Sequence, residues 1–149
     1  MTDPVEIVLA TIRAVEERDA DALAELYHDD VEFHDAPSLP YGGRRSGMQH
    51  LEGELAAAPG TWFGTWGPLQ PTAEERRMDA RVVAAHDDEV AVVYRQRALS
   101  PSGERFDAPV FALYHVRDGK FARAQMFHYD TAAIAGFLER AGAPGPGAA

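Results

Sequence analysis

Residues Arg117-Asp118-Gly119-Lys120 stand between two runs rich in β-branched and aromatic residues. An Asp-Gly pair supplies the two left-handed backbone positions that a two-residue hairpin needs, so it is one of the strongest short-range signals in any sequence. It predicts residues 106–116 and 121–129 as antiparallel neighbours. Two further runs, 81–85 and 90–94, precede them. Asp87-Asp88 separates this pair, and Ser100-Pro101-Ser102-Gly103 follows it. The second half of the chain is therefore a succession of strands joined by tight turns.

The first half has a different period. Asp3 precedes Pro4, and Val5, Val8, Leu9, Ile12 and Val15 recur every three to four residues, which predicts an amphipathic helix over 4–18. A second helix starts at Asp19 or Asp21 and runs through Leu23, Leu26 and Tyr27. A strand over 31–35 then enters the turn Ala36-Pro37-Ser38-Leu39-Pro40-Tyr41-Gly42-Gly43. Met48, Leu51 and Leu55 mark a third helix, and Asp130 caps a last one through Ile134, Phe137 and Leu138. Helices first and strands afterwards describe an α+β domain. The expected form is a curved antiparallel sheet covered on one face by helices, a cone enclosing an apolar cavity. One domain over 1–142 is expected, with 143–149 (Ala-Pro-Gly-Pro-Gly-Ala-Ala) a disordered tail.

The chain has no cysteine, which removes disulfides, thiolate metal sites and a cysteine nucleophile. Lys and Arg number 14 against 24 Asp and Glu, a net charge of −10, so nucleic acid and anionic membranes are not expected partners. No apolar run is long enough to span a bilayer, and the acidic start Met1-Thr2-Asp3-Pro4-Val5-Glu6 is unlike a signal peptide. A cytoplasmic location is expected.

Alternation along 31–35 puts Val31, Phe33 and Asp35 on one face. Asp35 thus ends an apolar row, where burial raises a carboxyl pKa and suits it to moving protons. The other reading of Asp35 is a cap for the following turn, hydrogen-bonded by the Ser38 or Leu39 amide. Tyr94, Arg95, Gln96 and Arg97 interrupt an apolar strand, so either Arg95 or the Tyr94–Gln96 pair lines the cavity. The alternative for the arginines is cross-strand ion pairs on the outer face. Trp62 and Trp66, in a Gly-broken aromatic stretch, read as a ligand-facing lid or as a dimer contact. Tyr41 reads as a hydrogen-bond donor at the cavity mouth or as packing over the turn. No metal-ligand spacing and no glycine-rich phosphate cradle occurs, so neither metal nor nucleotide cofactor is expected.

Leu26 to Asp35, the turn ending Arg45-Ser46-Gly47, and Asp118-Gly119-Lys120 through Asp130 resemble the nuclear transport factor 2-like superfamily. Within it the chain is most similar to SnoaL-like polyketide cyclases and ketosteroid isomerase-like proteins, a cystatin-like roll. The resemblance spans roughly residues 4–141 and implies a fold more firmly than a function. It puts Asp35 where ketosteroid isomerases hold their base. The positions matching their two oxyanion donors are Thr11 and Phe111, and each such donor is worth about 3 kcal/mol, so steroid isomerisation itself is not implied. The Asp–Arg–Asp set of limonene epoxide hydrolases is also missing, with Arg95 or Tyr94 at its first position and Met126 at its last. The cyclases' acid–base Asp matches Asp130, which equally reads as a helix cap. The family's pocket face matches Met126 and His128, so His128 joins Asp35 as a candidate proton partner.

The resemblance therefore implies a cofactor-independent cyclase, isomerase or dehydratase acting on a small hydrophobic carbonyl or polyketide-like substrate. Asp35, His128 and Asp130 are its catalytic candidates. Tyr41, Trp62, Trp66, Tyr94, Arg95, Phe111 and Met126 are its substrate-binding candidates. The alternative is a non-catalytic ligand-binding or dimerisation module, and a homodimer through the sheet is expected under both.

Overall fold

The computed structural model describes residues 3–143. Asp3 caps α1 (Pro4–Glu17) by accepting a hydrogen bond from the Val5 amide at 2.8 Å, and the helix turns Ile7, Val8 and Ile12 inward. Arg18 ends it in the left-handed region, with φ 55. Asp19 caps α2 (Ala20–Leu26) in the same way through the Ala22 amide. Tyr27, expected in that helix, instead opens β1 (Tyr27–Asp35). Its ring lies 5.7 Å from Phe33 and 5.5 Å from Phe121, and burial against those sheet residues outweighs the helical spacing.

The glycine turn leads into β2 (Gly43–Ser46), then α3 (Met48–Leu55) and α4 (Trp62–Trp66). A 3-10 turn at Gly67–Leu69 and the short α5 (Ala73–Arg76) connect to the long strands. These are β3 (Arg81–His86), β4 (Glu89–Leu99), β5 (Arg105–Arg117) and β6 (Lys120–His128), followed by α6 (Thr131–Arg140). The β5–β6 turn is the expected hairpin, with φ 55 at Asp118 and 72 at Gly119.

The six strands form one curved, unclosed sheet in the order β2-β1-β6-β5-β4-β3. All neighbours are antiparallel except β1 and β6, which run parallel. That pairing brings the end of the first strand beside the end of the last. The helices cover the concave face, and the main core lies between them, built on Val8, Ile12, Val31, Val92 and Ala112. A second core joins Leu39, Tyr41 and Trp66 to Ile134, Phe137 and Leu138 of α6. Ala143 packs at its edge, and its amide donates to the Leu138 carbonyl. Residues 144–149 of the expected tail lie outside the described residues. No helix among the described residues is long and apolar enough to cross a membrane.

Candidate active site

Asp35 is the last residue of β1, paired with Gly43 of β2. Val31, Phe33 and Asp35 do share the concave face, and the Asp35 side chain is only 3% exposed. Behind it the turn closes tightly, because a Cβ on Gly42 would stand 2.0 Å from the Ala36 carbonyl oxygen. The turn-cap reading of Asp35 does not hold. The Leu39 amide donates to the Ala36 carbonyl, and Asp35 Oδ1 has no hydrogen-bond partner among the described residues.

Asp35 faces a cavity of about 70 Å³. One water needs about 10–15 Å³ of such space, so the reacting end of a compact organic molecule fits. The wall is largely apolar, with Ile12 and Val15 from α1, Phe33, Met78, Ala124 and Met126. Trp62 and Phe63 close it from α4. Set into this wall are Tyr27, Tyr41, Tyr94 and Tyr114, together with His50 and Glu54 from α3.

Glu54 is the residue that the sequence reading missed. It is as buried as the core leucines, and its Oε1 accepts from the Trp62 amide at 2.6 Å. Burial pushes its carboxyl up to about 7, with the Asp35 charge adding to the rise and the amide bond opposing it. Burial also raises the Asp35 carboxyl, and His128, Arg45 and His34 pull it part of the way back. The four tyrosine hydroxyls are all pushed upward, chiefly by burial, so they stay protonated and able to donate. The Tyr41 hydroxyl has no partner among the described residues. Burial and Arg45 lower the His50 imidazole, whose Nε2 is likewise unpartnered.

Arg45 fixes the frame of the site. Its guanidinium donates to the carbonyls of Gly42, Gly60 and Pro40, at 3.2, 2.5 and 3.4 Å. It thereby ties the turn after Asp35 to the loop after α3, the helix that bears Glu54.

Several expected residues fall elsewhere. His128 stands beside Asp35, Nε2 to Oδ1 at 3.6 Å, but it lines a notch on the far side of the carboxylate rather than the cavity. Arg95 is on the outer face, ion-paired with Asp107 at 2.8 Å, so the inward parity of β4 belongs to Tyr94 and Gln96. Phe111 is 41% exposed and meets Phe127 on that outer face, 6.1 Å between rings. Its inward neighbours Val110 and Ala112 are apolar, so β5 supplies no acid at that level. Asp130 is exposed and caps α6, accepting from the Ala133 amide at 3.0 Å. Trp66 is fully buried and stacks on Phe137, which makes it core rather than lid. Thr11 lines the cavity, but its hydroxyl donates to the Ile7 carbonyl. Among the described residues no three His, Asp or Glu side chains gather as metal ligands.

A cone of this kind recurs in known structures. A Xanthomonas campestris protein with a cystatin-like fold superposes with TM-score 0.73 at 19% identity, covering 92% of this chain and 98% of its own. TerC, crystallised with polyporic acid, gives 0.72 at 22% identity over 91% and 98%. A proposed polyketide cyclase from Xanthomonas campestris pv. campestris gives 0.62 at 18% over 91% and 96%. At these identities the likeness establishes the fold. Residues 8–124 also match the model of the SnoaL-like domain, and the chain belongs to that family. No curated protein matches the sequence significantly.

Proposed function

We propose that this protein is a cofactor-independent acid–base enzyme that moves a proton next to the carbonyl of a small hydrophobic, polyketide-like molecule. The reaction class is cyclisation, isomerisation or dehydration. The observation that carries this reading is the pair Asp35 and Glu54, two buried carboxyls with raised pKa values in one apolar, tyrosine-lined cavity. A base needs a site where its charge is poorly solvated, and an acid needs a pKa near the working pH. Asp35 in its ionised form takes the proton. Glu54, with a pKa of about 7, holds one to return. Tyr94 and Tyr114 offer donors to the enolate oxygen as charge develops on it. Glu54 takes the place of the second carboxylate that Asp130 was expected to supply.

The outer face favours a homodimer through the sheet. Phe111 and Phe127 are 41% and 49% exposed and form one aromatic patch across β5 and β6. Aromatic residues are enriched at such interfaces.

Deuterium wash-in to a panel of small enolisable aryl ketones, followed by NMR, tests the chemistry. The wild type is expected to exchange the α-proton faster than buffer, and Asp35→Asn to lose about 10²–10⁴-fold of that rate. Equal rates in the two proteins remove Asp35 as the base. A wild type no faster than buffer across the panel favours the ligand-binding module.

A further inference from the structure

Arg18 ends α1 and lies against α4, its Cζ 5.7 Å from the centre of the Trp62 ring and 5.2 Å from that of Phe63. It does not line the inner cavity. It lines a separate hollow of about 160 Å³ between the α1–α2 corner and the α3–α4 segment. Leu23, Leu55, Phe63 and Glu54 form its walls, and Ala20 and Ala57 stand exposed at its rim. Phe63 and Glu54 also line the cavity, so they are the partition between the two spaces.

The Arg18 guanidinium is held in place but has no counter-charge. One terminal nitrogen donates to the Val15 carbonyl at 2.5 Å and the other to the Gln70 side-chain oxygen. Gln70 is itself buried and donates to the Arg97 carbonyl at 3.0 Å. The two aromatic rings hold the cation further. Among the described residues no carboxylate pairs with Arg18. Burial, and then the charge of Arg76, lower its guanidinium to about 10. Arg13, Arg81 and Arg117 also lack an acidic partner, but they are exposed to solvent, whereas Arg18 is half-buried. A partly desolvated charge is costly without an opposite one beside it. The chain carries a net charge of −10, yet it sets none of its acids there.

We propose that this hollow binds a small apolar carboxylic acid in its ionised form, the carboxylate on Arg18 and the hydrocarbon against Leu23, Leu55 and Phe63. Val15 and Gln70 take one N–H from each terminal nitrogen, which leaves the Nε–H and a second N–H on each for a ligand. A planar fork fixed in this way suits the two oxygens of a carboxylate. A phosphate dianion calls for more than one cation, and Arg76 neither lines the hollow nor has its Nε free, since it donates to the Gln70 carbonyl at 3.0 Å. Glu54 does not oppose the anion. Its Oε1 accepts from the Trp62 amide, and below its midpoint of about 7 the carboxyl is protonated. The site is separate from the chemistry proposed at Asp35 and stands whether or not that chemistry occurs.

Titration of the full chain with 2-naphthoate and with its neutral isostere 2-naphthamide, followed by amide NMR at pH 6, tests the site. At that pH the naphthoate is ionised and Glu54 is protonated. The naphthoate is expected to shift the amides of Ala20, Leu55 and Ala57 to saturation. The naphthamide is expected to bind about tenfold more weakly or worse, the low end for a hydrogen bond to a charged group. Arg18→Gln, which keeps a polar side chain without the charge, is expected to erase that preference. Ala20→Trp, which fills the hollow from its rim, is expected to abolish binding of both probes there. Equal affinity of acid and amide in the wild type, or undiminished naphthoate binding in either folded variant, overturns the proposal. So does the absence of a saturable shift, or shifts confined to cavity residues such as Phe33 and Tyr94. Amide spectra of each variant establish the fold, and either variant alone suffices.

Discussion

Glu54 on α3 and Asp35 at the end of β1 face one cavity, and the charge on Asp35 adds to burial in pushing the Glu54 carboxyl up to about 7. A helix and a strand thus bring together two acids that are 19 positions apart in the chain. The two are coupled, so the protonation of one depends on the state of the other.

The raised Glu54 carboxyl, lifted chiefly by burial, makes stability depend on pH. In the unfolded chain Glu54 ionises near its ordinary 4.5, whereas in the fold it ionises near about 7. Between those values the folded state binds more protons, so stability falls as pH rises through the window. The shift corresponds to a loss on the order of 3 kcal/mol once pH is well above 7. Urea denaturation of wild type and Glu54→Gln at pH 4.5, 6 and 8 checks this. The wild type is expected to weaken more steeply, and the difference between the two proteins reports Glu54 together with its coupling to Asp35, whose raised pKa acts in the same direction.

Asp130→Ala separates a cap from a catalyst. Loss of the hydrogen bond from the Ala133 amide is expected to lower stability by about 1 kcal/mol. Deuterium wash-in is expected to be unchanged, since Asp130 does not line the cavity. A large fall in wash-in at unchanged fold would return Asp130 to the site.

Trp66→Ala is expected to cost about 3–5 kcal/mol, the usual penalty for emptying a large aromatic site. The indole is fully buried between Tyr41, Phe106 and Phe137, and its loss leaves α6 without its main contact to α4. Urea melts give the value. Trp62→Ala, in the cavity wall, is expected to cost less, since its side chain is only partly buried.

Phe127→Glu places a charge in the outer aromatic patch. Sedimentation velocity is expected to show a dimer for the wild type and a monomer for the variant. A wild type that sediments as a monomer at all accessible concentrations removes the proposed interface.

Much of the fold was legible because local signals agreed with it. The hairpin at Asp118-Gly119, the caps Asp3, Asp19 and Asp130, and the inward row Val31, Phe33, Asp35 all follow from short-range chemistry. Position 111 was not legible in that way. On β5 both faces carry apolar side chains, Phe111 and Leu113 outward against Val110 and Ala112 inward, so hydrophobic contrast gives no parity. On β4 a contrast did exist. Arg95 and Arg97 fall on the same parity, and the β4–β5 register brings both to Asp107. Glu54 also left a trace, since it shares a helix face with Leu51 and with His50, one turn earlier. The parallel pairing of β1 with β6 joins strands almost a hundred residues apart, and nothing within either strand records it.

Arg45 holds three carbonyls from two separate loops with one planar group. A guanidinium serves several acceptors at fixed angles, which a lysine ammonium on a flexible stem does not. The spacing between the two acids is therefore set outside the cavity, by a cation bonded to backbone. Side chains that only line the cavity, such as Phe33 and Met126, take no part in that clamp, so the shape of the pocket and the placement of its two acids depend on different residues.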